Sequence, residues 1–403
     1  MSARTIASRG CTRRGLLTAA GGTLLLAGCG REETGGPETG GDDPVLVVGA
    51  VLELSGPQAQ LGIQQERALR IAAEALNVTG VEVGNLRRTV RLVVRDNGGD
   101  PRTSAAHARE LIETQDVSAL VGGVIAENSM AIIGVAQELQ VPFVSLASGD
   151  ELVLPLSRRT YIYKLTPDAR DVARRLAQFI RSRRHQRVAV LAAAGLHGDS
   201  GVRALRNSLE TAGRTLTQVV RLPGSGYSYG EAAGRIAAGG PDAVVVWSTA
   251  PESGAAAVAL RRAGYTGPLF FDAGAVGADT VSGASAQAVE GAYVVHPGSL
   301  VTSALTGTSI AALARRNFVS RYRRRYGNYV PFAPYAYDAL HLIAEAARHA
   351  VSVDRGRLRA YLQSQVIEGI AGGYSFTPIR HGGMDRDSLG VFSISRGDWV
   401  RVS

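Results

Sequence analysis

Residues 45–76, VLVVGAVLELSGPQAQLGIQQERALRIAAEAL, constrain this chain more than any other stretch. Val45, Leu46, Val47 and Val48 form an apolar run rich in β-branched side chains, the signature of a strand buried on both faces of a parallel sheet. A Ser-Gly-Pro turn follows, and from Leu61 to Leu76 apolar residues recur at spacings of three and four, which predicts an amphipathic helix. Strand, loop and helix in that order open a βαβ unit. The loop Leu54-Ser55-Gly56-Pro57-Gln58 then falls at the carboxyl edge of the sheet, where α/β proteins bind ligands.

The same pattern repeats downstream. Strands are predicted at 89–95, 117–121 and 141–145, with helices at 105–113 and 126–139; Pro101 marks one helix start. Four strand–helix alternations within about 110 residues argue for a parallel sheet with helices on both faces. At Thr166-Pro167-Asp168 the pattern begins again, with strands at 187–191, 216–221, 243–247 and 269–271 and helices at 202–212, 229–238 and 252–263. His197-Gly198-Asp199-Ser200-Gly201 reads as a loop between them. A strand at 291–295 is expected to leave this second lobe, followed by a helix at 310–326, a Tyr-rich segment at 329–338 that opens an amphipathic helix through 350, a short helix at 358–363 and a last strand at 390–394. The duplication is one of architecture, without a sequence repeat.

Residues 1–28 belong to neither lobe. Arg4, Arg9, Arg13 and Arg14 make a basic start, and residues 16–27 are apolar but too short to span a bilayer, which is the layout of an export signal. Arg13-Arg14-Gly15-Leu16-Leu17 resembles a twin-arginine signal, although a basic start of the ordinary secretory route has the same look. Leu26-Ala27-Gly28-Cys29 resembles the lipobox of bacterial lipoproteins, which implies cleavage before Cys29 and lipid on its thiol. Cys11 and Cys29 are the only cysteines, so the mature chain keeps no thiol for a disulfide, a metal or catalysis. Residues 29–43, rich in Gly and Glu, predict a flexible tether on the outer face of the cytoplasmic membrane.

The chain has 403 residues, 45% of them apolar, enough for two ordinary cores. The formal charge of +9 drops to about +5 without the four leader arginines. Arginine clusters at 181–184 and 321–325 lie at helix ends, and an exported chain does not routinely meet nucleic acid, so they are read as solvated or partner-facing surface. No dinucleotide fingerprint or metal-ligand spacing occurs. His197, Asp199 and Ser200 crowd one loop too closely for a nucleophile relay. No catalytic residue, metal or cofactor is assigned.

From 45 to 397 the chain resembles the type I periplasmic solute-binding proteins, in the branched-chain amino acid and amide branch that serves ABC importers. The likeness rests on Gly49-Ala50 with Leu54-Ser55-Gly56-Pro57, Asp96 before Pro101, Gly122-Gly123 through Ser129, and Val141-Pro142 through Ala147. It continues in His197-Gly198-Asp199-Ser200-Gly201, Pro251-Glu252 to Leu260, Glu290-Gly291 and Tyr335-Ala336-Tyr337-Asp338-Ala339. The resemblance implies an α/β fold of two Rossmann-like lobes joined by a three-segment hinge. Lobe one would be 44–165 plus 292–373 and lobe two 166–291 plus 374–403. It further implies a monomer that takes a small amino acid, amide or related polar compound in the inter-lobe cleft and delivers it to a membrane permease. A ligand sensor signalling to a membrane receptor is the alternative.

Carried over residue by residue, the likeness places Ser55, Leu61, Ala126, Glu127, Asn128, Ala147, Ser148, Asp150, His197, Trp247, Thr249, Asp272 and Tyr335 at the ligand. A carboxylate-gripping hydroxyl is missing at Ala126, whose N–H remains, while Ser148 keeps one. Asn128 or Ser129 would otherwise simply cap a helix. Glu127 and Asp150, if they face the cleft, favour a cationic or strongly donating ligand and oppose a bare carboxylate. His197 and Thr249 stand where tyrosines are common, and Leu61 where an aromatic is. Asp272, or Ala273 by a shift of one, would take an ammonium group; the other reading of Asp272 is a strand-end turn. Trp247 is either a stacking wall or core.

Overall fold

The computed structural model describes residues 44–222, 229–300 and 308–403. Cys29, the leader and the tether lie outside the described residues.

The first sheet contains β1 (Val45–Leu52), β2 (Val81–Val83), β3 (Leu86–Asp96), β4 (Ala119–Gly122), β5 (Phe143–Ser145) and β6 (Ile162–Lys164). Their order is β2-β3-β1-β4-β5-β6, parallel throughout except for the β2–β3 hairpin. Helices α1 (Ala59–Thr79), α2 (Pro101–Glu113) and α3 (Ala126–Glu138) connect the strands. Asp100 caps α2 by accepting the Thr103 N–H at 2.7 Å, with Pro101 in the first turn. Along β1, Leu46, Val48, Ala50 and Leu52 pack into the core under α1, whereas Val47 and Val51 pack against the α2 and α3 side. Both faces are covered, and for that reason β1 reads as an unbroken apolar run rather than an alternating one.

The second sheet begins with α4 (Ala169–Ser182) and then β7 (Arg187–Ala192), α5 (Gly195–Thr211), β8 (Thr215–Arg221), α6 (Gly230–Ala238), β9 (Ala243–Trp247), α7 (Glu252–Arg262) and β10 (Leu269–Phe271). After the single-turn helices α8 (Ala278–Val281) and α9 (Ala286–Val289) comes β11 (Tyr293–Pro297). Helices α10 (Ile310–Tyr326), α11 (Ala333–Ala350) and α12 (Arg355–Leu362) follow, with α10 and α11 packed on α1 and α12 on α11. A small antiparallel ribbon, β12 (Val366–Glu368) and β13 (Gly373–Ser375), precedes β14 (Leu389–Ser395) and β15 (Asp398–Arg401). The strand order is β15-β14-β11-β10-β9-β7-β8, the last five parallel and the first two antiparallel. Val244 and Val246 of β9 face one core and Ala243, Val245 and Trp247 the other.

Three expectations are corrected. Residues 293–297 do not leave the second lobe: β11 is paired between β10 and β14, so the crossing comes after Pro297, not at residue 292. The tail does not rejoin the second sheet at 374 either. Residues 373–375 pair with β12, and the second sheet resumes only at Leu389. His197 through Gly201 is not a loop but the first turns of α5. Its small residues are there for packing, because a Cβ on Gly201 would overlap the Trp247 ring.

The first and last crossings meet at Lys164, the chain's only lysine, which is wholly buried. Its Nζ donates to the carbonyls of Thr166 (2.9 Å) and Pro167 (3.0 Å) and pairs with Asp168 at 2.9 Å. Its own backbone hydrogen-bonds His381 and Gly383 of the returning tail. Burial pushes the Asp168 carboxyl up, but Lys164 and Arg380 together hold it below the usual carboxylate range. A buried cation is tolerated when its donors are all engaged, as here.

Candidate functional site

The ends of the strands in both sheets carry the loops that meet between the lobes. In the first lobe the Ser55 turn is pinned by Asp96 at the end of β3, whose Oδ1 accepts the N–H groups of Leu54 (2.9 Å), Ser55 (3.1 Å) and Gly98 (2.9 Å). Burial raises the Asp96 carboxyl, and these donors more than offset it, leaving its pKa lowered. Gly56 sits in the left-handed region at φ 82°, and a side chain there would strike the Gly98 carbonyl. Ser55 itself is exposed.

Glu53, one residue past β1, is a buried acid beneath the cleft-facing loops that sequence reasoning missed. It is completely buried and its carboxylate accepts from Val124 N (2.9 Å), Ile125 N (3.2 Å) and Asn128 Nδ2 (2.9 Å). The two backbone N–H groups just ahead of the first turn of α3 are thus answered from within the chain. Burial pushes the Glu53 carboxyl up from its ordinary value. The one signal in the sequence was an acid directly after an unbroken apolar strand, a place where a solvated side chain is unexpected.

Glu127 and Asp150 turn out to be helix caps across the lobes. Glu127 Oε1 accepts the N–H of Leu196, in the first turn of α5, at 3.0 Å. Asp150 Oδ1 accepts the N–H of Ala169, the first residue of α4, at 2.9 Å, and the Asp150 N–H donates to Ser200 Oγ at 3.1 Å. Their carboxylates are therefore held by the second lobe's helix starts rather than presented freely to the cleft. Ala126 is buried at the start of α3, and the Ala147 carbonyl is taken by the Thr166 hydroxyl at 2.7 Å. Ser148 lies half-buried in the same loop.

On the second lobe His197, Thr249 and Asp272 converge around Gly274, whose added Cβ would touch all three. Asp272 Oδ1 accepts Ser248 N at 3.0 Å, Oδ2 accepts Gly274 N at 2.8 Å, and His197 Nε2 lies 3.1 Å from Oδ2. Asp272 is 1% exposed, so its charge is engaged by its own lobe. Trp247 is buried in the core beneath α5, with its indole N–H unpartnered among the described residues. Tyr335 is buried at the start of α11, facing Phe332 and His296, its hydroxyl likewise unpartnered. Burial moves the Tyr335 hydroxyl well above the ordinary tyrosine value.

A cavity of about 50 Å³ lies between the lobes. Pro57, Gln58, Gln60, Leu61 and Gln64 of α1 and its preceding turn form one wall, and Ala250, Pro251, Gly277, Ala278 and Asp279 the other. Of the candidate residues, only Leu61 lines it. Larger grooves of about 800 and 740 Å³ run along α4 and α5 and beside the returning tail, with Asp150 at their border. Among the described residues no three His, Cys, Asp or Glu side chains are grouped to hold a metal ion, and no helix is long and apolar enough to cross a membrane.

Two doubly covered α/β lobes whose strand ends face each other, linked by three crossings, define a two-lobe periplasmic binding protein fold of type I. The chain belongs to the periplasmic binding protein family, whose model matches residues 46–392. It is 23% identical over 373 residues to the Leu/Ile/Val-binding protein homolog 7 of Brucella abortus, covering 89% of this chain and 91% of that one. An extracellular ligand-binding receptor from Rhodopseudomonas palustris superposes with a TM-score of 0.82 at 22% identity, covering 90% of this chain and 100% of that one. The branched-chain amino acid transporter substrate binding protein LivJ from Streptococcus pneumoniae, solved with isoleucine, gives 0.77 at 20% identity, covering 89% and 99%.

Proposed function

We propose that this chain is the exported, lipid-anchored solute-binding component of an ABC importer. It captures a small amino acid, amide or related polar compound between its lobes and passes it unchanged to a permease, without a catalytic step. The observation that carries this reading is the hydrogen bonding across the cleft. Glu127 and Asp150 of the first lobe reach the starts of α5 and α4 in the second, so closing the lobes assembles contacts that opening removes. Similarity to Leu/Ile/Val-binding homologues supports a small-molecule ligand of that general kind. The hinge motion and the placement of Ser55, Ser148, His197, Thr249 and Tyr335 around the ligand are part of the same proposal.

The test is a thermal-shift screen of residues 44–403 against amino acids, their amides and small amines. A binder present at a hundred times its dissociation constant stabilises the folded state by about 2.7 kcal/mol. A screen without any shift would sink the reading. The anchor is tested separately: Cys29→Ser releases the full chain from the membrane fraction, and unchanged retention would refute lipidation.

A further inference from the structure

His296 is the most deeply buried of the seven histidines and has no role in ligand capture as described above. It is the next-to-last residue of β11, opposite Gly390 of β14, just before the chain crosses to the first lobe. Strand alternation puts it on the same face as Val294, toward the core that also holds Tyr335 of α11. The imidazole and the Tyr335 ring stand 6.3 Å apart, so a side chain of the second sheet is covered by a helix of the first lobe. The Tyr329 hydroxyl pins the crossing beside them by donating to the Ser299 carbonyl at 3.1 Å.

This place suits a neutral ring only. Nδ1 lies 3.0 Å from the Pro297 carbonyl, which can only accept, so Nδ1 carries the proton. Nε2 is then a bare acceptor, without a partner among the described residues, as are the Ser299 and Tyr335 hydroxyls. A proton on Nε2 would bring a full charge into a site with no carboxylate to pair it. β14 has no ionisable residue. Asp272, at the end of β10, is held by the Ser248 and Gly274 N–H groups. Asp338, one turn along α11 from Tyr335, is raised by burial to about 6, but its partners Ile370, Ala371 and Tyr374 all precede the return to the second sheet. Burial raises the Tyr329 and Tyr335 hydroxyls, which stay neutral. Burial also pushes the His296 imidazole down to about 4, against the pull of the Pro297 carbonyl.

We propose that His296 is an acid-sensitive latch between the lobes. With the ring neutral, Tyr335 seats against β11. Once protonated, the ring is stable only where water reaches it, which requires Tyr335 to part from β11 and the lobes to open. A solute held by the closed lobes is therefore bound more weakly in acid. The latch rests on the hinge motion proposed above and names the group that makes that motion depend on pH.

Small-angle scattering of residues 44–403 without a solute, at pH 7.5 and at pH 5.0, tests it. Opening that returns the ring fully to its ordinary 6.5 raises the open-to-closed ratio about thirtyfold between the two conditions, and a rise of at least about fivefold is expected. His296→Gln should abolish the rise. His341→Gln, which removes a histidine packed on Tyr337 of its own helix, should keep it. A wild-type ratio unmoved by pH, or an equal rise in a folded His296→Gln variant, overturns the latch. Glu127→Ala measured alongside separates the failures: if it opens the lobes while acid does not, the latch alone falls, and if neither does, the hinge motion falls with it. His296→Phe keeps a ring that cannot ionise and replaces the glutamine variant if that one does not fold.

Discussion

Each lobe has a carboxylate just past a central strand that reaches sideways to the loop of its neighbour. In the first lobe Glu53, after β1, takes the N–H groups of Val124 and Ile125 following β4. In the second, Asp272, after β10, takes the Ser248 N–H following β9 and the Gly274 N–H of its own loop. The third partner differs. Glu53 is completed by a neutral amide, Asn128, whereas beside Asp272 the His197 Nε2 stands 3.1 Å away without a hydrogen bond. Two lobes of one architecture have thus met one problem, fixing loops at a sheet edge, with acids of different reach. The longer side chain spans to the two residues just ahead of a helix, whereas the shorter one ties a turn beside His197.

The comparison can be broken most forcefully at Glu53. Glu53→Ala leaves three buried donors without an acceptor, and at about 1 to 3 kcal/mol for each unsatisfied group the loss should be about 4 kcal/mol in urea unfolding. A loss below about 1 kcal/mol would show that water replaces the carboxylate. Asp272→Ala frees two backbone donors and should cost less, about 2 to 3 kcal/mol by the same rule; an equal or larger cost would mean that the imidazole contact outweighs the reach of the longer acid.

The next test sharpens the contrast through pH. Burial lifts the Glu53 carboxyl above 4.5, so the folded chain holds that proton more tightly than the unfolded one. The associated stability is whole below pH 4.5 and is lost as pH rises through the folded value. The wild-type unfolding midpoint should therefore fall relative to that of Glu53→Gln as pH rises above 4.5. Midpoints that stay parallel would place the carboxylate in contact with water. The smallest effect is expected at the exposed cap: Glu127→Ala should leave global stability unchanged and shift the lobes about two- to fivefold toward the open form in solution scattering, the scale of one helix-end charge. Unchanged scattering would reduce the Leu196 hydrogen bond to a passive contact.

Much of the fold was legible because local patterns carried it. The β1–α1 unit, the restart at Thr166 and the Pro101 helix start follow from burial periodicity and backbone chemistry alone. The start of α5 did not, since Gly198, Ser200 and Gly201 look like turn residues unless Trp247 is known to press against them. The direction of β11 was hidden for a similar reason: an apolar strand does not name its partners, and β14, nearly a hundred residues later, decides where it lies. At the site, only Leu61 of the residues the resemblance pointed to lines the inter-lobe cavity, and the partners of Glu127, Asp150 and Asp272 are set by the opposite lobe or a neighbouring strand. Glu53 escaped because it departs from the expected pattern, and tertiary contacts alone explain a buried acid there.

The buried lysine where two of the crossings meet has one more consequence. Every other cationic side chain of the chain's basic complement is an arginine, so an amine-selective acylating reagent has a single lysine target, and in this arrangement it is out of reach. Acylation of Lys164 would then proceed only as fast as the strands around it part. A simple mass measurement over time would serve as a clock for opening at the junction, without any engineered label.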